Sequence, residues 1–399
     1  MKIDAYLRYM AEKGASDLFL TTAAPPSIKL MGEMQPLSDK PLKPGIVNRV
    51  ANELMNDEQR AEFETHLEMN LALSISGVGR FRVNIYRQRG EASIVIRYIS
   101  SRIPSMEDSN LPPVLRDLIA NKTGLVLVVG ATGSGKSTTL ASMIEYRNSV
   151  ESGHILTIED PIEFTFSHKK SIVGQREVGI DTLSYANALR EAMREAPDVL
   201  MIGEIRDREA MEAAMMLSDT GHLVVSTLHA INANQALDRI VNLFPAEERN
   251  RILQDLSLNL RGIVSQRLLK TTEGKRVPAV EVLVNTPFVA DLIARGRAGE
   301  IKDVMEKSSS VGMQTFDQSL LALFEAGWIS RDDALEFSDS PNNLKWLMNF
   351  GGDVTGEHPA LTTLQDLDKQ AVLKGAQAQQ PGWGELGDLA PFSKSKLPQ

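Results

Sequence analysis

The stretch GATGSGKST, residues 130–138, constrains the fold of this chain more than any other part of it. It matches the pattern G-x-x-x-x-G-K-[S/T], lying directly after an apolar run that predicts a strand and directly before a helical pattern. Glycines at these places let backbone N–H groups turn towards phosphates, and the start of the helix adds partial positive charge. The pattern predicts an α/β fold in which this loop holds the phosphates of ATP.

From residue 110 onward, apolar strands alternate with helical stretches, which predicts a largely parallel sheet with helices on both faces. The predicted strands are 125–129, 154–158, 198–202 and 222–227, and the predicted helices are 136–146, 184–195 and 207–218. A hairpin at 262–284 and further helices up to about residue 350 follow. Thr315 and Gln318 predict a capping box at the start of one of these helices.

Residues 1–100 predict a separate small α+β domain. A helix at 3–13, short strands around the Pro25-Pro26 turn, and two helices near 44–55 and 57–66 come first. Alternating apolar and polar residues at 70–99 then predict a three-stranded antiparallel meander with one solvated face.

Three segments complete the predicted domain organisation. Residues 101–113, rich in proline and small polar residues, predict a linker, and residues 114–350 form the predicted ATPase domain. Gly, Pro and Gln dominate residues 351–399, which predicts a flexible tail with at most one short helix near 361–374. Trp383 leaves a docking role for this tail open.

Charge and composition limit the partners that the chain can have. The 43 basic and 52 acidic residues give a net charge of −9, which opposes binding to nucleic acid. Cysteine is absent, so disulfides and Cys-ligated zinc are excluded. No apolar run approaches the roughly 20 residues of a transmembrane helix, and the N-terminus lacks a signal-peptide core; both favour a cytoplasmic protein.

The phosphate loop contains the candidate ligands of the nucleotide. Lys136 is expected to reach the β- and γ-phosphate oxygens, and the hydroxyl of Ser137 is expected to bind Mg²⁺. The full set of predicted nucleotide-binding residues is Thr132, Gly133, Ser134, Gly135, Lys136, Ser137 and Thr138.

Carboxylates after two of the predicted strands are candidates for metal binding and catalysis. TIEDPIEFTF, residues 157–166, contains Glu159, Asp160 and Glu163, while DVLMIGEIRD, residues 198–207, ends its strand with Gly203 and Glu204. Ligands bind at the carboxyl ends of strands in such sheets. We therefore expect Glu204 to hold Mg²⁺ through water and Glu163, at the adjoining strand end, to polarise the attacking water. An exposed acidic loop is the alternative interpretation.

Four segments in this order resemble a known family: GATGSGKSTT, TIEDPIEF, LREAMREAPDVLMIGEIRD and TGHLVVSTLHA. They are similar to the Walker A, Asp box, Walker B and His box of the secretion and type IV pilus ATPases, and the likeness covers about residues 1–345. The resemblance implies a hexameric ring whose subunits have a PAS-like N-terminal domain and a RecA-like ATPase domain, with ATP between them.

The same resemblance implies roles for individual residues. Lys136 and Ser137 bind the nucleotide, Glu163 is the catalytic carboxylate, and Glu204 manages metal and water. His229 senses the γ-phosphate; without the resemblance, His222 and His229 would be interpreted as structural residues at the two ends of a strand. Gly203, where many P-loop enzymes have Asp, agrees with the pattern of the family.

Within the family, the chain resembles the retraction ATPases of the PilT/PilU branch. It lacks the longer N-terminus and the tetracysteine element of the extension and secretion ATPases. The retraction signature A-I-R-N-L-I-R is replaced by PFVADLIARG, residues 287–296, which together with the long tail is more similar to the accessory type. The resemblance implies a paralogous retraction ATPase and the inner-membrane pilus platform protein as partners, at the cytoplasmic side of the pilus base.

Six arginines and one acidic residue lie between residues 80 and 102. A solvated sheet face accounts for many of them, but the segment also creates a local field that favours phosphate. The family places arginines of the N-terminal domain against ATP at the subunit interface, so Arg82 and Arg97 are candidates to stabilise the transferring phosphate.

Two other functions stay open at this stage. The chain is either an active motor or an ATP-binding adaptor, with little activity of its own, that joins the ring of another retraction motor. A RecA-like nucleic-acid translocase is disfavoured by the acidic charge and by an aromatic content of 5%.

Overall fold

The computed structural model describes residues 3–30 and 32–350. The predicted tail, with its helix near 361–374 and Trp383, lies outside the described residues. Within these residues the strands form two separate sheets, one in each predicted domain.

The N-terminal sheet is antiparallel throughout and contains six strands. They are β1 (Asp17–Thr21), β2 (Ser27–Leu30), β3 (Glu33–Pro36), β4 (Glu68–Ile75), β5 (Gly79–Gln88) and β6 (Glu91–Ile99). Their order is β3-β2-β1-β6-β5-β4, so the predicted meander is confirmed as one half of the sheet. The helices of this part are α1 (Ile3–Lys13), α2 (Ile46–Leu54) and α3 (Asp57–His66).

Alternation along the strands divides this sheet into an apolar and a polar face. Side chains of the apolar face are buried with residues of all three helices, for example Val83 of β5, Ile96 of β6 and Val50 of α2. Arg82 and Arg97 belong to the opposite face, where they lie directly across from each other in the β5–β6 register.

The second sheet contains seven strands of the ATPase domain. They are β7 (Gly124–Val129), β8 (Gly153–Glu159), β9 (Ser171–Glu177), β10 (Val199–Ile202), β11 (Leu223–Leu228), β12 (Leu260–Lys270) and β13 (Arg276–Val284). The order is β13-β12-β7-β11-β10-β8-β9, and all neighbours are parallel except the β12–β13 hairpin. The four predicted parallel strands and the hairpin are confirmed.

Strand β9 at the sheet edge is absent from the sequence-based prediction. Its sequence SIVGQRE has few apolar residues and ends in three polar ones, so it lacks the signal of a buried parallel strand. Pairing with β8 over seven residues makes it a strand.

Helices cover both faces of the second sheet, as predicted, and a C-terminal group packs on the hairpin. They are α4 (Val114–Ala120), α5 (Lys136–Val150), α6 (Tyr185–Ala192), α7 (Arg208–Asp219), α8 (Ala233–Asn242), α9 (Arg249–Asn259), α10 (Pro287–Ala294), α11 (Ile301–Lys307), α12 (Phe316–Glu325), α13 (Arg331–Glu336) and α14 (Pro341–Phe350). Short 3-10 turns occur at Ala246–Glu248, Ala298–Glu300 and Ser309–Val311. The predicted capping box of Thr315 and Gln318 is present at the start of α12.

The segment 101–113, predicted as a linker, has no helix or strand. It nevertheless packs on the ATPase domain, because Met106 and Leu111 are buried with residues of α4 and α5. The hydroxyl of Ser142 in α5 also donates to the carbonyl of Pro104 at 2.8 Å.

Candidate nucleotide site

Two glycines set the conformation of the phosphate loop. Gly130 has a φ of 154°, and a Cβ atom there would lie 2.4 Å from Ser134 Oγ and 2.5 Å from the carbonyl oxygen of Gln266. Gly135 has a φ of 92°, and its Cβ would lie 2.7 Å from Nε2 of the same glutamine. The loop therefore lies tightly on strand β12, and only glycine fits these two places.

The start of helix α5 is open towards ligands. Gly135 caps the helix without a side-chain hydrogen bond, so the first N–H groups are free of a side-chain cap. Lys136 Nζ donates to the carbonyl oxygens of Gly130 and Ala131, each at 2.9 Å. Burial lowers the pKa of Lys136, while the charges of Glu204 and Glu163 act in the opposite direction. This environment fits an anionic phosphate group, which would compensate the positive charge of Lys136.

Most of the predicted site residues line a single cleft of about 470 Å³. The loop forms one wall, and the ends of β8, β10 and β11 form the other. Its lining includes Thr132, Gly133, Gly135, Lys136, Ser137, Thr138, Glu163, Glu204 and His229. Ser134 is an exception: it is buried in the loop, and its Oγ has no hydrogen-bond partner within the described residues.

Both oxygens of the Glu204 carboxylate are engaged by side chains. Glu204 Oε1 lies 2.7 Å from Nε2 of His229, and Oε2 accepts from Nε of Arg206 at 2.6 Å. Arg206 also lies 3.4 Å from Oδ2 of Asp160. Sequence reasoning missed Arg206, although it stands two residues after Glu204 in the quoted EIRD segment.

Gly203 lies in tight surroundings. A Cβ atom there would lie 3.1 Å from the hydroxyl of Tyr185 and 3.3 Å from Cα of Glu159. A larger side chain there would require these neighbours to give by a few tenths of an ångström. Burial raises the pKa of the Tyr185 phenol, so it stays protonated. His222 lies at the other end of β11, where its Nδ1 is 3.0 Å from the carbonyl of Leu217, as a structural histidine would be.

Glu163 lies in the loop after β8, four residues beyond the last residue of the strand, which is Glu159. The prediction placed Glu163 at the strand end itself, and this detail is wrong because the strand stops at Glu159. The loop nevertheless turns Glu163 into the cleft. Its backbone N–H points to Oε2 of Glu159 at 3.4 Å.

Glu159 is the most perturbed carboxyl group of the site. It is only 5% exposed, and burial raises its pKa from 4.5 to about 7. Hydrogen bonds from Thr157 at 2.7 Å and Gln175 at 3.2 Å oppose this rise by favouring the charged form. The group is therefore a mixture of neutral and ionised forms near neutral pH.

The stability of the protein should reflect this titration. Between pH 4.5 and about 7 the folded chain holds a proton on Glu159 that the unfolded chain has lost, so the free energy of unfolding falls as the pH rises. The loss amounts to about 3 kcal/mol between pH 5 and 8 for a shift of this size. We expect Glu159→Gln to lose this part of the pH dependence, measured by urea unfolding without nucleotide across that range. An equal pH dependence of the free energy of unfolding in both proteins would contradict the titration of a buried Glu159.

Arg82 and Arg97 do not line the cleft of their own chain. Nε of Arg97 donates to Oδ1 of the buried Asp17 at 2.8 Å, while the Arg97 side chain is 62% exposed. Arg82, half-buried beside it, has no ion pair with any described residue.

The cleft offers oxygen ligands rather than a cluster of metal-binding side chains, since the described residues contain no group of three or more His, Asp or Glu that could hold a metal ion. The hydroxyl of Ser137 and the carboxylate of Glu204 nevertheless line the same cleft. Oxygen ligands of this kind suit Mg²⁺, which keeps several waters and is completed by substrate phosphates.

No helix in the described part of the chain is long and apolar enough to span a bilayer.

Comparison with known proteins agrees with the motifs. Residues 1–309 match the family model described as Type II/IV secretion system protein. The chain is 48% identical over 359 residues to the type IV pilus ATPase PilU of Pseudomonas aeruginosa, covering 90% of this chain and 94% of the relative. It is 42% identical to the pilus retraction ATPase PilT of the same organism, over 86% of this chain and the whole relative.

A solved structure shares the fold over most of the chain. The crystal structure of the pilus retraction motor PilT with bound ADP aligns with a TM-score of 0.81 at 42% identity, covering 86% of this chain and 99% of the other. The resemblance predicted from the four motifs is thus confirmed, including the greater similarity to PilU than to PilT.

Proposed function

The chain belongs to the type II/IV secretion system protein family, an ATPase family, and from this premise we propose that it is a motor subunit that drives or assists type IV pilus retraction. Its relatives include a type IV pilus ATPase, PilU, and a pilus retraction ATPase, PilT, with the higher identity to PilU. One observation supports the proposal above all: the phosphate loop, Lys136 and the carboxylates of Glu163 and Glu204 face one cleft.

The geometry supports a division of labour during ATP hydrolysis. The loop amides and Lys136 hold the phosphates, and their positive charge stabilises the charge that develops on the γ-phosphate. Glu163 orients a water molecule in line with the phosphoryl bond that breaks and accepts a proton from this water. Ser137, and Glu204 through water, would hold Mg²⁺, which would supply further compensation of the phosphate charge.

His229 is proposed to report whether the γ-phosphate is present. Its ring nitrogen lies 2.7 Å from the Glu204 carboxylate, and both side chains line the cleft. A γ-phosphate competes with Glu204 for this nitrogen, so hydrolysis would return His229 to the carboxylate. The strand end that carries His229 would move with this exchange.

We propose that the subunit assembles into a homo-hexamer with a PAS-like N-terminal domain and a RecA-like ATPase domain. The pairing of Arg82 with Arg97 on the polar sheet face supports this. Arg97 is paired with Asp17, but Arg82 across from it has no ion pair with a described residue, so the positive charge of this pair is only partly compensated. The γ-phosphate of a neighbouring subunit is the anion that such a ring would supply, which gives both arginines a catalytic role in trans.

A paralogous retraction ATPase and the inner-membrane pilus platform protein are the proposed partners, with no role for nucleic acid. The motor would work at the cytoplasmic face of the inner membrane, at the pilus base. Closure of the two domains around ATP and their release after hydrolysis would move the platform.

Steady-state hydrolysis of ATP by the purified protein tests the function. We expect turnover by the protein alone, since Lys136, Ser137, Glu163 and Glu204 all line the cleft. The matched control is Lys136→Ala, which should be inactive. If the wild type is also inactive alone, and both forms stimulate a partner retraction motor equally, the chain is an adaptor and the proposal of an active motor fails.

The same assay tests the action of arginines in trans. Arg82→Ala and Lys136→Ala rings should each be nearly inactive, since arginines of this kind contribute roughly 10³-fold or more. Mixed rings contain interfaces with one intact Lys136 and one intact Arg82, so part of the activity should return. If mixing restores nothing at any ratio while mixed rings form, Arg82 does not act across the interface.

A further inference from the structure

The side-chain amide of Gln175 holds the loop that contains Glu163. Its Nε2 donates to the carbonyl of Phe164 at 2.9 Å, and its Oε1 accepts from the N–H of Phe166 at 2.9 Å. The same Nε2 donates to Oε1 of Glu159 at 3.2 Å. Gln175 thus forms hydrogen bonds to the backbone just after Glu163. It also bonds the carboxyl group of Glu159, which is the group that the backbone N–H of Glu163 points to.

These three hydrogen bonds require both a donor and an acceptor on one side chain. A glutamine amide has both, whereas a carboxylate only accepts and an aliphatic chain does neither. The pattern also fixes the amide orientation, since both partners of Nε2 are acceptors and the partner of Oε1 is a donor. Three bonds on a half-buried side chain restrict the loop to one arrangement.

The strand of Gln175 also contacts the N-terminal part of the chain. Glu177, two residues further on β9 and therefore on the same side of the strand, accepts from Arg80 of β5 at 2.9 Å. The backbone N–H of Thr165, inside the held loop, donates to the carbonyl of Ser100 at 3.3 Å. A shift of the N-terminal sheet would thus reach both β9 and the loop of Glu163.

We infer that Gln175 is a positioning residue for Glu163: it sets the place of the catalytic carboxylate without touching the nucleotide. This inference rests on the proposed role of Glu163 in hydrolysis. A displacement of about 1 Å at a reacting group lowers rates by up to 10²-fold, whereas substrate binding at the phosphate loop does not depend on Glu163. The loss of Gln175 should therefore affect kcat and spare ATP binding.

Gln175→Met tests the inference, because methionine fills a similar volume without a strong donor or acceptor. We expect kcat to fall by about 10- to 100-fold, with KM and the Kd for ATP changed by less than about twofold. Gln175→Glu is the second variant if the first fails to fold, since it keeps the shape and one acceptor but loses the donor; it should lower kcat as well. An unchanged kcat in a folded variant overturns the inference.

Asn285→Leu is the matched control for the general cost of losing a buried amide. Its Nδ2 donates to the carbonyls of Ser257 at 3.0 Å and Leu260 at 2.9 Å, away from the cleft. This variant should lose stability while its kcat remains near that of the wild type. A fall in kcat equal to that of Gln175→Met would mean that any such loss disturbs the enzyme, and the specific role of Gln175 would be rejected.

The double variant with Glu163→Gln separates this inference from the proposed function. If Gln175 acts through Glu163, adding Gln175→Met to Glu163→Gln should change the residual rate by less than about twofold. A further tenfold fall would overturn the inference and leave the role of Glu163 intact. If Glu163→Gln alone retains full turnover, the proposed role of Glu163 fails, whatever Gln175 does.

Discussion

Replacing Glu163 by glutamine is expected to abolish ATP turnover while ATP still binds. Glutamine has the same size, and the substitution leaves the backbone N–H of residue 163 free to keep its contact with Glu159. What is lost is the carboxylate that accepts the proton of the attacking water, a contribution of about 10²- to 10⁴-fold. The groups that hold the phosphates, Lys136 and the loop amides, are untouched.

The measurement combines steady-state turnover with direct ATP binding to the same preparation. Glu195→Gln is a matched control, because Glu195 is a partly exposed carboxylate of the same domain that pairs with Arg176 at 2.6 Å outside the cleft. Its turnover should stay near the wild-type value. If Glu163→Gln keeps more than about a tenth of kcat, the base lies elsewhere. Glu159 and Asp160, the other acidic residues of this segment that line the cleft, are then the next to replace.

Local signals in the sequence predict the part of the site that consecutive residues build. The phosphate loop has its full pattern within nine residues, and the strands that end at Glu159 and at Ile202, two residues before Glu204, have strong apolar runs. Because parallel strands end at one edge of the sheet, these signals are sufficient to predict that Lys136, Glu163 and Glu204 lie at one cleft. The structure confirms that convergence.

Other features depend on contacts between distant residues, which no local pattern reveals. Gln175 reaches the Glu163 loop only because β9 pairs with β8, and β9 itself has too few apolar residues to be recognised as a buried strand. The raised pKa of Glu159 follows from burial by neighbouring elements. Whether Arg82 contacts a nucleotide depends on a second subunit, so neither the sequence nor one chain decides it.

Replacing Gly130 by alanine is expected to destroy the phosphate loop. The new Cβ would lie 2.4 Å from Ser134 Oγ and 2.5 Å from the backbone carbonyl of Gln266, and the backbone atom cannot move without shifting β12. The φ of 154° is also unfavourable for any residue except glycine. Overpacking and backbone strain together should cost about 3 kcal/mol of stability. A displaced loop would lose hydrogen bonds from its backbone N–H groups to the phosphates, which should weaken ATP binding by about 100-fold or more.

Gly274→Ala separates the steric clash from the conformational cost of alanine. Gly274 lies in the β12–β13 hairpin with a φ of 80°, and a Cβ atom there would have no neighbour within 4 Å, so alanine causes strain without overlap. We expect a loss of about 1 kcal/mol and unchanged ATP binding. Urea unfolding and titration with a fluorescent ATP analogue measure both quantities in the two variants. Equal effects in both would mean that the contact between the loop and Gln266 does not set the phosphate site, because the clash exists only at Gly130.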